Sequence, residues 1–491
     1  MCRLLWGSSC NVANLANVRR YDAEVQKIYA GSRLRRLREE RRLTQLALAK
    51  TLGLSPSYLN QLENDQRPLT VPVLLKLNSM FELDPTFFAT DTDARLVADL
   101  QDVLSETSDA VSNAEVQELV SRMPAVGHTL VALHRRLYAA TEQIERMSAG
   151  LEGVSVADTG RVPMPYEEVR DFFYDRRNHI AELDTAAERL FDERGLAIGA
   201  LDLQLSEILL RDHGVTVVIR DDLPGALGPK RSYDSSGSRL VLARRLTAGQ
   251  RAYQIATQLA FLSYSTVIGR LVDQAPDLTP QSRELARVGL ANYFAGALLL
   301  PYNRFLEASE SLRYDIDLLS LMFEVGFETV CHRLSTLQGP GRKGVPFFFV
   351  RTDRAGNISK RQSATAFHFS RVGGSCPLWV VHDAFASPGQ IRTQVAEMPD
   401  ARTYLWIART TRSGGLGYRS PEKNFAIGLG CDIAHAGKLV YADDMPGSVT
   451  PIGPGCKVCE RDSCAQRAFP QLGKSLVVDE GLSTDLPYPY S

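Results

Sequence analysis

The sequence predicts a multidomain chain, mainly α with an α+β C-terminal part, and three observations predict it. Residues 44–68, TQLALAKTLGLSPSYLNQLENDQRP, spell two short capped helices around a glycine. From residue 166 to about 340 helical periodicity dominates, with strand-like runs at 215–219 and 238–242. Beyond Gly339 the pattern turns to short apolar runs separated by turn residues, and it ends in closely spaced cysteines.

Composition bounds the rest. At 491 residues the chain has room for about three domains. Hydrophobic residues make up 44% and charged residues 23%, a globular balance rather than a disordered one. The net charge of −1 means that a basic surface, where present, is local. No apolar run reaches the length of a bilayer span. Residues 1–28 read as a disordered extension without a cleavage site, so a cytoplasmic protein with no membrane partner is expected. Four of the eight cysteines fall between Cys431 and Cys464, which in that compartment argues for metal and against disulfides.

Residues 29–90 carry the first motif. Thr44 can cap a helix through its hydroxyl. Gly53 stands where that helix must stop with positive φ. Ser55 caps the next helix, and Pro56 takes its first position. Leu59 and Leu62 pack, while Ser57, Asn60 and Gln61 remain as polar positions suited to base edges or phosphates. Arg33, Arg35, Arg36, Arg38, Arg41 and Arg42 upstream make a basic helix of the kind that neutralises phosphates. The expected DNA-contacting set is Arg33, Gln45, Ser55, Ser57, Tyr58, Asn60, Gln61, Asn64 and Arg67, on a double-stranded operator. An ordinary helical hairpin explains each feature singly but not their combination. Residues 31–88 resemble the Xre/Cro-repressor helix-turn-helix family, whose pattern LTQ–LA–LG–S–YL–QLENG-RP they match, with Asp65 where the family has glycine. A helix from Thr70 and a short one after Asp84 and Pro85 would complete a five-helix bundle.

Residues 91–160 read as a helical linker and dimerisation segment. Val126, Leu130, Leu133, Leu137, Ala140, Ile144 and Met147 alternate steps of four and three, the seam of a coiled coil. Such a seam would join chains into a homodimer or homotetramer and suit paired half-sites. A helix packed on its own domain reads the same way.

Residues 161–340 form the expected effector domain. A long helix or helix pair covers 166–195, and further helices cover 248–267 and 280–300, the last ended by Pro301. This order, with the run ANYFAGALLLP at 291–301, resembles the IrrE-type metallopeptidase domain. The resemblance implies a zinc peptidase, but the His-Glu-x-x-His that such an enzyme needs is missing. The corresponding helix has Gln258 and Leu259, and Leu290 stands where an acidic ligand is due. A zinc-dependent peptidase acting on a partner repressor is therefore the disfavoured alternative, and a non-enzymatic binding pocket is expected. Arg170, Arg176, Arg239, Arg244 and Arg251 suit a phosphate-bearing ligand, with Tyr253, Tyr293 and Phe294 along its body. As single residues these arginines are equally explained as surface ion-pair partners.

Residues 341–491 read as a strand-rich C-terminal domain. Strands are expected at 347–350, 378–382, 403–408, 425–429 and 439–441, with a hairpin turn at 353–357. Cys456, Cys459 and Cys464 give Cys-x2-Cys-x4-Cys, and Cys431 is the expected fourth ligand. Three close thiolates and one distant suit a 4Fe–4S cluster; zinc remains the alternative, with Cys376 and His382 as spare ligands.

The helix-turn-helix, the ligandless IrrE-like domain and the tail CKVCERDSCAQRAFP, in that order, resemble the actinobacterial short-chain fatty-acyl transcriptional regulators. So do PYEEVRDF from Pro165 and CPLWVVH from Cys376. The resemblance covers nearly the whole chain. It implies a regulator that senses CoA or short-chain acyl-CoA, propionyl-CoA among them, with a four-cysteine iron–sulfur site. Its genes would be those of short-chain fatty-acid catabolism, such as the methylcitrate or glyoxylate cycle.

Overall fold

The computed structural model describes residues 31–41, 43–64, 66–81, 91–104, 111, 113–148, 165–220, 228–276, 278–365, 367, 369, 375–414, 422–445, 447–471, 474, 476–477, 481 and 485, with the backbone alone at several helical positions. The chain forms two compact units. One comprises Met1–Thr90 with Ser121–Met123, the other Asp91–Val120 with Pro124–Ser491.

In the first unit lie α1 (Gly31–Glu40), α2 (Gln45–Leu52), α3 (Pro56–Glu63) and α4 (Val71–Phe81). The expected caps are present: Thr44 Oγ1 accepts from Ala47 N–H at 3.2 Å and Ser55 Oγ from Tyr58 N–H at 3.1 Å. Gly53 ends α2 at φ 63°, a conformation that costs a side-chain-bearing residue about 1 kcal/mol. Leu34, Leu37, Leu48, Leu52, Leu59, Leu62 and Leu77 close the core. The helix expected after Asp84 lies outside the described residues.

Next come α5 (Asp91–Leu104), α6 (Asn113–Arg122) and α7 (Pro124–Ser148). Gly127 lets α7 close onto α5, since a Cβ there would touch Leu96 and Leu100 at 3.1 Å. Along the expected seam Val126, Leu133 and Leu137 are exposed and Leu130 is half-buried. The side chains of Ala140, Ile144 and Met147 lie outside the described residues.

The helical layer contains α8 (Pro165–Asp175), α9 (Ala181–Glu193) and α10 (Leu201–His213). A three-stranded sheet follows, built of β1 (Thr216–Arg220), β2 (Arg231–Asp234) and β3 (Arg239–Ala243) in the order β1-β3-β2. Then come α11 (Ala248–Ser263), α12 (Ser265–Asp273), α13 (Pro280–Leu299), α14 (Tyr302–Ser311), α15 (Ile316–Met322) and α16 (Phe327–Leu334). Of the two arrangements expected over 166–195, helix or helix pair, the structure has the pair, broken where Arg177 and Asn178 take φ 51° and 56°. The helix expected over 248–267 is likewise two helices, parted at Tyr264. Thr247 and Gln250 form a reciprocal capping box that starts α11.

The final segments are β4 (Phe348–Thr352), β5 (Ile358–Ser363), α17 (Val380–Asp383), β6 (Arg392–Glu397), β7 (Thr403–Gly414), β8 (Glu422–Asp432) and β9 (Val449–Pro451). The six strands form one sheet ordered β5-β4-β8-β7-β6-β9, antiparallel except for β6 beside β9. Two expected strands are not strands. The run 378–382 turns into α17 against the sheet, and 439–441 enters a single 3-10 turn.

Strand pleating sends alternate residues to opposite faces. Phe349, Leu405, Ile407, Ile427, Leu429 and Cys431 join the core of the helical layer. Phe348, Val350, Tyr404, Trp406 and Ala426 pack with Trp379, Val381 and Phe367 on the other face. Gly430 sits opposite Phe348, where a Cβ would fall 2.1 Å from the ring. The strand-rich region thus shares one core with the helical layer, where the sequence suggested a separate body. No single described helix is long and apolar enough to cross a membrane.

Candidate functional site

In the first unit α3 is held by a buried carboxylate. Glu63 is 3% exposed and accepts from Arg38 Nε at 2.7 Å and Nη2 at 3.2 Å. A buried charge needs such pairing. Gln45 Nε2 donates to Glu63 Oε2 and to Asn60 Oδ1, both at 3.2 Å, joining α2 to α3. Arg35 Nη2 reaches Asn64 Oδ1 at 2.6 Å. Within the free protein Arg35 and Arg38 therefore serve α3 itself. Ser57, Asn60 and Arg67 are exposed, Tyr58 and Gln61 half-buried, and the Arg67 guanidinium lies 5.8 Å over the Tyr58 ring. The Ser55 hydroxyl is used by the cap. Arg33 is on α1, with its side chain outside the described residues.

The second unit has a cleft of about 1070 Å³ between the helical layer and the six-stranded sheet. Gln250, Tyr253 and Gln254 of α11 line it, as do Asn292, Tyr293, Gly296 and Leu299 of α13 and His332 and Arg333 of α16. The strands add Arg231, Arg351, Lys360, Arg409 and Arg412. Counting Lys230, seven cations among the described lining residues stand with one carboxylate, Glu328. Arg351 pairs with Glu328 at 2.8 Å, and Arg409 with Asp317, which does not line the cleft. Arg231 Nη1 and Arg409 Nε are buried without a hydrogen-bond partner among the described residues. Burial pulls Lys360 down to about 8. His332 sits well below the usual imidazole value, chiefly through burial and then through Lys360, Arg333 and Arg351 beside it. The site is poised for an anion that would repay this desolvation.

Of the effector residues expected from sequence, Tyr253 and Tyr293 line the cleft. The Tyr253 hydroxyl donates to Asn292 O at 2.8 Å, and that of Tyr293 to Asp184 Oδ2 at 2.5 Å. Phe294 points into the core against Tyr264, with ring centroids 4.4 Å apart. Arg170 pairs with Glu167 and Asp171, and Arg176 stacks on Phe172 at 3.9 Å. Arg251 is held by Asp202 at 2.7 Å, and Arg239 and Arg244 are exposed on and just after β3. None of these five arginines lines the cleft. Their place is taken by Arg351, Lys360, Arg409 and Arg412, which lie beyond Gly339 in what the sequence presented as another domain. Gln258, Leu259 and Leu290 are buried, and α11 carries no histidine, so the old zinc-helix position is core.

The cysteines divide. Cys431 on β8 pairs in register with Leu405 and is buried in the core shared with the helical layer. Cys376 is in the core of the opposite face. Gly453 N–H reaches Cys376 Sγ at 3.4 Å, and a Cβ on Gly453 would fall 2.5 Å from Cys459 Sγ, so both thiols flank Gly453. Cys456 shares a turn with Cys459 and accepts at Sγ from Ala468 N–H at 3.4 Å. Arg467, 5% exposed and missed by sequence reading, donates to the carbonyls of Cys456 at 3.0 Å and Cys459 at 3.2 Å. Strand pleating thus puts Cys431, the expected fourth ligand, on the sheet face opposite Cys376, one of the two spare ligands. Burial raises the Cys376 thiol to about 11 and Cys431 to about 12. Among the described residues no three His, Cys, Asp or Glu side chains already surround one point at ligating distance.

A helix-turn-helix unit joined to a body with a cationic cleft defines a DNA-binding transcriptional regulator. Comparison with known proteins narrows the class. Residues 34–88 match the helix-turn-helix model, 210–335 the IrrE N-terminal-like domain, and 336–488 the C-terminal domain of the short-chain fatty acyl coenzyme A regulators. The chain is 59% identical over 468 residues to the HTH-type transcriptional regulator PrpR of Mycobacterium tuberculosis, covering 94% of this chain and 96% of that one. It is 48% identical over 477 residues to RamB of the same species, covering 94% and 99%. To the propionyl-CoA carboxylase regulator of Cereibacter sphaeroides it is 42% identical over 467 residues, covering 94% and 99%. A solved Mycobacterium tuberculosis transcriptional regulator superposes with TM-score 0.64 at 61% identity, over 67% of this chain and all of that one. The chain belongs to the helix-turn-helix transcriptional regulators of the short-chain fatty acyl coenzyme A group, and it is a regulator, not an enzyme.

Proposed function

We propose that this cytoplasmic regulator binds a short-chain acyl-CoA, propionyl-CoA foremost, in the cleft and thereby controls short-chain fatty-acid catabolism genes such as those of the methylcitrate or glyoxylate cycle. The carrying observation is the excess of cations over carboxylates in a cleft of about 1070 Å³, just above the roughly 300–1,000 Å³ of small-molecule sites. Arg231, Lys360, Arg409 and Arg412 would take the phosphates, and Tyr253, Asn292 and the face of α13 the pantetheine and acyl group. The names of the family model and of the propionyl-CoA carboxylase regulator support the same ligand class. Ligand acts on DNA only by favouring one arrangement of the regulator over another. The exposed stripe Val126, Leu133 and Leu137 is the surface on which a homodimer would pair its reading helices.

Cys376, Cys456, Cys459 and Cys464 would hold a 4Fe–4S cluster, with zinc as the alternative. The backbone N–H groups on Cys376 and Cys456 are the kind that support thiolate sulfur. Such a group would lock the loop carrying Cys456, Cys459 and Cys464 to the segment that begins α17.

Calorimetry of the full chain with propionyl-CoA, CoA and propionate tests the ligand. Binding of the thioester, weakened at least tenfold in an Arg409→Ala, Arg412→Ala double variant, is expected. Binding unchanged in that variant would remove the phosphate assignment.

A further inference from the structure

The CoA reading leaves open what measures the acyl chain, and we propose that Gly296 does, as the residue that sets the depth of the acyl end of the cleft. This rests on the acyl-CoA reading above. Gly296 lies within α13, a helix of 20 residues, a position where glycine is the poorest helix former after proline. Helix interiors usually keep a glycine because a neighbour leaves no room for a Cβ. That reason holds for Gly289 of the same helix, where a Cβ would stand 2.9 Å from the Phe173 ring. It fails at Gly296, where a Cβ would meet nothing within 4 Å. The backbone is ordinary there too, since Gly296 is not among the positive-φ glycines. The space that a side chain would occupy is the cleft, which Gly296 lines.

The position fits the acyl end. Asn292, Gly296 and Leu299 follow at steps of four and three, so they share one face of α13. Leu299 is buried one turn on, and Leu246 and Val325 add apolar surface. The cations that would hold phosphates lie on the strands and Gly296 on α13, so phosphates seated on the strands would leave the acyl group facing α13. A methyl at residue 296 would shorten that space slightly, an isopropyl group more.

Gly296→Ala and Gly296→Val in the full chain, titrated with CoA, acetyl-, propionyl- and butyryl-CoA, test this, with thermal melting as the folding control. CoA affinity is expected to fall by less than that of any of the thioesters, because CoA has no acyl group to meet the added side chain. The ratio of butyryl-CoA to acetyl-CoA dissociation constants is expected to rise at least tenfold in G296V and by a smaller factor in G296A. An unchanged ratio in a folded variant overturns the assignment of Gly296. A parent protein that binds none of the thioesters overturns the CoA reading and this inference together. G296A, which favours the helix, keeps the test decisive if G296V does not fold.

Discussion

Arg333 of α16 donates from Nη2 to Asp184 of α9 at 2.6 Å, where neither side chain is more than 6% exposed. The Asp184 carboxylate also takes the Tyr293 hydroxyl and lies 3.3 Å from His179 Nε2. Arg333 Nε donates to Leu300 O at 3.0 Å. The pair therefore anchors two residues that line the cleft, Tyr293 and Arg333, to a helix that does not.

Removing one member strands the other charge in the interior. Asp184→Asn or Arg333→Met is expected to cost about 3–5 kcal/mol. The double change Asp184→Asn, Arg333→Met should cost less than the two singles added together. Urea unfolding of all three variants checks this; additive losses would show that the two residues act separately.

Ligand affinity should depend on pH through Lys360, whose ammonium titrates at about 8 in the free protein because burial disfavours its charge. A bound phosphate favours the charged form and so raises this pKa. Affinity for CoA is then full below pH 8 and falls as pH rises above it. Lys360→Met should bind more weakly at pH 7 and lose this decline. A decline that persists in the variant would assign it to another group.

Metal content should separate the cysteines. Serine at Cys376, Cys456, Cys459 or Cys464 is expected to abolish bound iron or zinc, whereas Cys431→Ala should retain it at a modest stability cost. Anaerobic purification with a spectrum and metal assay reads both outcomes. Loss of metal in Cys431→Ala with retention in Cys376→Ser would restore the assignment made from spacing.

Operator binding should lose one phosphate contact in Arg67→Met, since Arg67 is exposed beside the reading helix. The expected result is weaker binding to all sequences alike, and a slope of log affinity against log salt reduced by about one. A change confined to one operator position would make Arg67 a base reader instead.

The sequence spoke most clearly where the determinants are local. The caps at Thr44 and Ser55, the stop at Gly53 and the turn that Asp353 closes onto Asn357 each depend on residues a few positions apart. The cleft was half legible. Tyr253 and Tyr293 follow from the helices that carry them, but Arg351, Lys360 and Arg409 reach it only because the sheet folds back onto the helical layer. Arg251 looked like a ligand until Asp202, 49 residues away in sequence, was seen to hold it. Spacing named Cys431 as the fourth ligand and kept Cys376 as a spare, because spacing counts residues and does not say on which side of a strand a side chain falls.

Strand β7 places Arg409 on the cleft side, three residues after Trp406, which packs on Trp379 across the sheet. Trp379 in turn donates from Nε1 to the Gly453 carbonyl at 3.0 Å, beside Cys376 and Cys459. The cationic pocket and the cysteine loop thus lie on opposite sides of the sheet, linked through β7, Trp406 and Trp379. A displacement of β7 would move side chains on both of its faces. By reciprocity, occupancy of either compartment that shifts this strand alters the affinity of the other by the same factor.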